Sequence, residues 1–281
     1  MTDPTPAKQS EQSKEAADQE SITHAATLAP RLVYEVIRRE GSEELSRPAR
    51  SLIWSGLAAG IMISFSVLAE AVLHTRLPDA PWRPLVESFG YSLGFLLVIL
   101  GRMQLFTENT ITTVLPVMSH PSGKMVARLG RLWAIVLAAN ISGAVLAAAA
   151  LAFSPVVSPE FLPAIADLSH HATDLPGWIS FSRAVPAGVL VAAMVWMLPQ
   201  AETASFFVIL AFTWLIGICD FTHVVAGSVE IAFLVFRGET GLVHAIFGFF
   251  LPALAGNIVG GTVIFALMAH GQVQDELPAE A

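Results

Sequence analysis

Two long apolar regions with polar residues at their centres constrain this chain more than any other feature. Six apolar regions run along it, at roughly 51–73, 85–118, 130–153, 178–198, 204–236 and 242–270. A membrane-spanning helix needs about 20 apolar residues, so the first, third, fourth and sixth are ordinary spans. The second and fifth are longer. The second is interrupted by GRMQLFTENT (101–110) and the fifth by CDFTHVV (219–225). Non-helical backbone at membrane depth survives only where protein or a water-filled cavity covers it. Each of these two regions is therefore predicted to be one broken helix. The expected fold is an all-α membrane protein with six transmembrane helices, helices two and five being broken.

Composition agrees. Hydrophobic residues make up 54 % of the 281 residues and charged residues only 14 %, against about a quarter in soluble domains. The lone cysteine, Cys219, excludes an internal disulfide and a cysteine metal cluster. No basic stripe points to nucleic acid. The first residues are polar and mixed in charge, unlike a cleavable signal peptide.

The expected organisation is a disordered cytoplasmic tail over 1–29, an amphipathic cytoplasmic helix over 30–50, a six-span channel domain over 51–270 and a cytoplasmic tail over 271–281. Leu32, Val33, Val36 and Ile37 share one side of the amphipathic helix. It either lies on the membrane surface or packs on the protein's own face. Orientation follows from Lys and Arg in the loops. Arg31, Arg38, Arg39, Arg47 and Arg50 precede span one, and Lys124, Arg128 and Arg131 separate spans two and three. The long loop after span three has neither residue type. Both termini are thus expected in the cytoplasm of a bacterial-type inner membrane, with membrane lipids around the spans.

The halves echo each other. Asn140-Ile141-Ser142-Gly143 and Asn257-Ile258-Val259-Gly260 both read N-I-x-G, 117 residues apart, and Phe106-Thr107 matches Phe221-Thr222 at an offset of 115. With three spans each, about 51–153 and 178–270, the halves form an inverted repeat. In such proteins the solute pathway lies near the midplane where the discontinuous helices meet. Gly143, Ala144, Gly256, Gly260 and Gly261 read as close helix contacts.

The segments LFTENTITTVLPVM, AANISGA, VLVAAMVWML, DFTHVVAGSVE and AGNIVGG together resemble the formate/nitrite transporter family over about residues 30–270. The resemblance implies an aquaporin-like protomer, a homopentamer with one pore per protomer, and passage of small monovalent anions, sometimes with a proton. From the residues themselves, no catalytic constellation, phosphate-binding loop or nucleophile motif is found, and no cofactor, metal or enzymatic activity is expected. By the same resemblance the central pore histidine is His223, the break-loop threonine is Thr107, the apolar constriction includes Leu105 and Phe106, and Tyr91 and Phe95 line the wall. Phe221 and Thr222 flank the histidine. The chain departs from the family where Gly227 and Gly188 stand in place of pore-side asparagines.

The chemistry at the breaks can be read from the residues. A desolvated anion needs donors, and helix N-termini supply them. His223, with an unperturbed pKa near 6.5, could donate a hydrogen bond or transfer a proton, so that a weak acid crosses its apolar constrictions in neutral form. Its structural reading is a histidine that pins one break to the other through Thr107. Thr107 itself either bonds His223 or caps a half-helix. Arg102 and Asp220, at the break edges, are expected to pair with each other or with Glu108, unless Arg102 attracts anions at a pore mouth. Glu70 and Glu230 are expected near span ends, at an interface. His170 and His171, with Asp167 and Asp174, read as a solvated loop rather than a metal site. Two further functions remain open: an aquaporin-like pore for small neutral solutes, and a membrane scaffold that has lost transport.

Overall fold

The computed structural model describes residues 28–276, apart from the side chain of Glu202. The tails expected at 1–27 and 277–281 lie outside the described residues. The main helices are α1 (Pro30–Ser46), α2 (Ala49–Arg76), α3 (Arg83–Leu100), α4 (Phe106–Thr112), α5 (Val114–Ser119), α6 (Gly123–Phe153), α7 (Leu162–Thr173), α8 (Gly177–Ala201), α9 (Ser205–Ile218), α10 (Val224–Arg237) and α11 (His244–Glu276). Helix α11 is wound more loosely, as π-helix, over His244–Phe250 and Val259–Ala266. Among the described residues five helices, α2, α3, α6, α8 and α11, are long and apolar enough to cross a membrane, and α9 is a shorter apolar helix.

Helix α3 stops at Leu100 for a local reason. Gly101 is its last cap, and Arg102 then adopts a left-handed backbone with φ 51°. The amide of Met103 donates to the Val98 carbonyl at 3.0 Å, and that of Arg102 donates to Ile99 at 3.0 Å. This is the Schellman closure of a helix end. Helix α9 ends identically. Asp220 has φ 53°, its amide donates to Gly217, and that of Phe221 donates to Ile216, both at 3.0 Å. Arg102 and Asp220 therefore occupy the helix-terminating position that usually belongs to glycine.

Five residues separate each stopped helix from the next. Asn140 holds the first segment. Its Oδ1 accepts from the Phe106 amide (2.8 Å), and its Nδ2 donates to the Gln104 and Gly56 carbonyls (2.8 Å each). Asn257 holds the second in the same way, accepting from the Val224 amide (2.9 Å) and donating to Thr222 (3.0 Å) and Ala184 (2.8 Å). The two asparagines of the N-I-x-G motifs thus start α4 and α10. By these bonds Phe106 is equivalent to Val224 and Leu105 to His223, so the register of the two non-helical segments differs from the one the Phe-Thr match suggests.

Helix pairs pack backbone to backbone. Gly60 of α2 faces the Asn140 carbonyl of α6, and Gly188 of α8 faces that of Asn257 of α11. A Cβ at either glycine would collide with backbone, which is the use membrane helices make of small residues.

Helix α1 packs on the protein's own face. Val33, Tyr34 and Ile37 are fully buried, whereas Leu32 and Val36 are exposed. The buried stripe is therefore rotated from the expected one. The Tyr34 hydroxyl meets Ser119 Oγ (2.9 Å) and His270 Nδ1 (2.8 Å). Glu44 of α1 reaches the first non-helical segment, accepting from Gln104 Nε2 and from the Thr112 hydroxyl, each at 3.0 Å. Burial pushes the Glu44 carboxyl above its ordinary range, and these two bonds oppose that shift.

The segment read as a solvated loop around His170 and His171 is helical instead, as α7. His170 Nδ1 lies 2.6 Å from Asp174 and its Nε2 3.0 Å from Glu239. Leu162, Ile165, Ala166 and Leu168 give α7 an apolar face that the loop's prolines obscure in the sequence. No group of three or more His, Cys, Asp or Glu residues among the described residues could hold a metal ion.

Candidate functional site

Helices α4 and α10 begin close to each other. The Thr107 hydroxyl oxygen lies 2.8 Å from His223 Nε2, and both residues are almost wholly buried. His223 is the N-cap of α10, and its Nδ1 accepts from the Ala226 amide at 3.3 Å. A nitrogen that accepts a hydrogen bond carries no proton, so a neutral ring holds its proton on Nε2. Nε2–H then donates to Thr107, and the threonine's own hydroxyl hydrogen is left to donate elsewhere. The first amides of both helices also lack intrahelical acceptors, and the two positive helix ends face one region.

Rings close the site on one side. Phe95 stands edge-on to the His223 imidazole, 4.9 Å between centroids, and Tyr91 lies 5.3 Å from Phe95. Leu105 and Phe106 are buried, the Phe106 ring packing edge-on against Trp133 at 5.5 Å. On the α7 side a cavity of about 470 Å³ reaches His223, Thr222 and Phe221. Helical spacing explains its walls. Positions 223, 227 and 230 recur every three to four residues on one face of α10, as do 84, 87, 88 and 91 on α3, and all of them line the cavity.

The expected charge pair does not form. Arg102 is exposed on the α1 side, with Glu40 at 4.0 Å. Asp220 lines the cavity on the α7 side, with His171 at 3.0 Å and Arg183 at 3.9 Å. The two Schellman ends sit on opposite sides of the molecule, so their side chains cannot meet. Glu108 is not their partner either, and its buried Oε1 has no hydrogen-bond partner among the described residues. Glu70 and Glu230 also depart from expectation, lining the cavity instead of an interface. The 223–227–230 spacing could have revealed this for Glu230. Nothing in the sequence flags Glu70 or Glu87.

The two glycines at the departures from the family have physical neighbours. The Phe249 ring fills the space beside Gly227, and a Cβ at Gly188 would strike the Asn257 backbone. Neither position has room for an asparagine as the chain is packed.

An all-helical protein with several membrane-length helices and buried polar groups where two helices begin side by side belongs to the class of membrane transport proteins. Residues 31–271 match the formate/nitrite transporter family, and the chain belongs to that family. It is 44 % identical over 245 residues to the inner membrane protein YfdC of Escherichia coli (strain K12), covering 87 % of this chain and 79 % of that one. It is 25 % identical over 244 residues to the formate channel FocA of Haemophilus influenzae, covering 77 % of this chain and 84 % of that one. Among solved structures, a pentameric formate channel with formate bound superposes with a TM-score of 0.69 at 23 % identity, covering 80 % of this chain and 97 % of the other.

Proposed function

We propose that this protein is a homopentameric, multi-pass inner-membrane channel for small monovalent anions of weak acids, with both termini in the cytoplasm. In this reading six spans form two inverted three-helix repeats. Helix α3 with α4 and α5 makes one broken span, and α9 with α10 makes the other. The observation that carries the reading is the 2.8 Å contact between Thr107 and His223 at the foot of the cavity. An anion losing its hydration there meets the Thr107 hydroxyl and the positive ends of two helices. A proton passed through His223 converts it to the neutral acid, which crosses the apolar barrier of Leu105 and Phe106 at far lower desolvation cost. Phe221, Thr222, Tyr91 and Phe95 shape the wall. A pore for small neutral solutes is the second reading. It is favoured by the absence of a side-chain amide at Gly188 and Gly227.

The test is flux into proteoliposomes of formate, nitrite, acetate and lactate, with glycerol as the neutral control, across about pH 5 to 8, the range in which an imidazole titrates. Wild type is compared with His223→Asn. Anion uptake that rises on acidification and collapses in the variant is expected. Glycerol uptake without pH dependence and unchanged in the variant, with no anion uptake, would replace the anion reading by the neutral one.

A further inference from the structure

A second cavity, of about 540 Å³, lies on the α1 side of the molecule and shares no lining residue with the cavity in front of His223. Three helices build it. Arg31, Glu35, Arg38 and Arg39 follow one another at helical spacing and so share one face of α1. The end of α5 adds Ser119, with His120 just beyond it, and α11 adds His270 and Gln274. The buried Tyr34 hydroxyl ties the three helices together, 2.9 Å from Ser119 Oγ and 2.8 Å from His270 Nδ1.

The cavity is cationic, in a chain whose net charge is −8. Glu35 is its one carboxylate among the described residues. Hydrogen bonds from Arg38, opposed by burial and reinforced by Arg39, lower the Glu35 pKa to about 2, so it stays ionised. Its two oxygens hold Arg38 at 2.7 and 2.8 Å and Arg39 Nε at 2.7 Å. The terminal nitrogens of Arg39 are left without a partner among the described residues, and Arg31 makes no hydrogen bond or ion pair there. Three arginines against one glutamate leave two net positive charges before either histidine takes up a proton. Guanidinium groups present paired N–H donors that match the oxygens of a phosphate.

Apolar surface adjoins these cations. Leu32, 44 % exposed, lines the cavity itself, and Leu267, 52 % exposed, shares a face of α11 with His270 and Gln274. A soluble phosphate has no use for that surface, whereas the acyl chain of a lipid does. We propose that this cavity binds the phosphate headgroup of an anionic phospholipid. Arg31 and Arg39 supply the counter-charge, and the acyl chain runs along the Leu267 face of α11. With His270 Nδ1 accepting from Tyr34, Nε2–H is left to donate to a phosphate oxygen. Basic pockets between membrane helices take anionic headgroups by the same forces. The site stands apart from the solute path and is independent of which solute crosses it.

The experiment adds phosphatidylglycerol to delipidated full-length protein in detergent and counts the lipids retained per protomer by native mass spectrometry. Phosphatidylcholine and sn-glycerol 3-phosphate are the comparison probes. The expected result is one phosphatidylglycerol per protomer, held about tenfold or more tightly than phosphatidylcholine. Glycerol 3-phosphate, which has the phosphate and no acyl chain, does not displace it at equal concentration. Arg31→Gln/Arg39→Gln abolishes the preference, and both side chains are exposed, so the fold does not depend on them. Arg50→Gln/Arg128→Gln removes the same charge from exposed positions outside the cavity, at the starts of α2 and α6, and leaves the preference unchanged. Equal retention of the two lipids, or equal loss in the two double variants, would overturn the proposal. Displacement by glycerol 3-phosphate at equal concentration would also overturn it, assigning the cavity to soluble phosphate esters. None of these readouts depends on flux, so a failure here leaves the channel reading standing.

Discussion

His223 and Thr107 stand 116 residues apart in the chain and 2.8 Å apart at Nε2 and Oγ1, and they tie the start of α10 to the start of α4. Replacing Thr107 by valine keeps the shape and removes the acceptor, leaving a buried Nε2–H unpaired at a cost of about 1–3 kcal/mol. Formate flux in proteoliposomes should fall about tenfold or more at neutral pH in Thr107→Val, since 1.4 kcal/mol corresponds to a factor of ten. Thr107→Ser should retain most of it. Equal flux in valine and serine variants would show that the hydroxyl takes no part.

The two asparagines that begin α4 and α10 should matter more to stability than any residue of the cavity. Asn140→Ala would leave the Phe106 amide and the Gly56 and Gln104 carbonyls without their shared partner. The expected loss is about 2–4 kcal/mol, reckoning about 1 kcal/mol for each net bond plus the penalty for buried groups. A lowered midpoint of thermal unfolding in detergent would register it. Asn257→Ala should behave alike, because its bonds are equivalent.

Arg102 is held at φ 51° with no glycine-like freedom. Arg102→Gly should relieve about 1 kcal/mol of backbone strain and raise the unfolding midpoint slightly. The 4.0 Å contact to Glu40 is exposed and adds little to offset this. A lower midpoint in the glycine variant would mean that the exposed guanidinium contributes more than the strain costs.

Restoring a family-like amide at Gly227 requires two changes. The Phe249 ring occupies the space a Cβ would need. Gly227→Asn alone should overpack the site and destabilise by about 1–3 kcal/mol. Gly227→Asn combined with Phe249→Ala should recover part of that loss. A double-mutant cycle on thermal stability measures the coupling, and purely additive effects would deny the contact.

The docking of α7 should weaken at alkaline pH. Asp174 beside His170 raises the imidazole pKa above its ordinary 6.5, burial opposes this, and Glu239 adds to the increase. A raised folded pKa means that the charged form is favoured in the native state. Its stabilisation is complete below about 6.5 and is lost as pH rises through the raised value. Amide exchange in α7 should therefore accelerate on the alkaline side in wild type. In His170→Gln it should be faster at acidic pH and respond less to pH.

The apolar runs and their polar interruptions were legible because they answer to local rules. Twenty apolar residues span a bilayer, and a polar pentapeptide inside such a run must end a helix. His223, Thr107 and the N-I-x-G asparagines could all be singled out from sequence. What each asparagine does could not, because the three bonds of each reach residues between 33 and 84 positions away. Arg102 and Asp220 looked like partners because both are charges at break edges. Tertiary structure sends them to opposite faces, where each terminates its own helix.

By itself the sequence determined the membrane-length helices, the two stops and the polar residues beside them, since hydropathy and helix termination depend on neighbours a few positions away. Only the tertiary structure decided the register of the two non-helical segments, the burial of α1 against α5 and α11, and the cavity that gathers Glu70, Glu87 and Glu230 in front of His223. Those acids sit on α2, α3 and α10, and their juxtaposition follows from backbone-close helix packing at glycines. That packing depends on which helix faces which, a long-range choice that no local window of sequence contains.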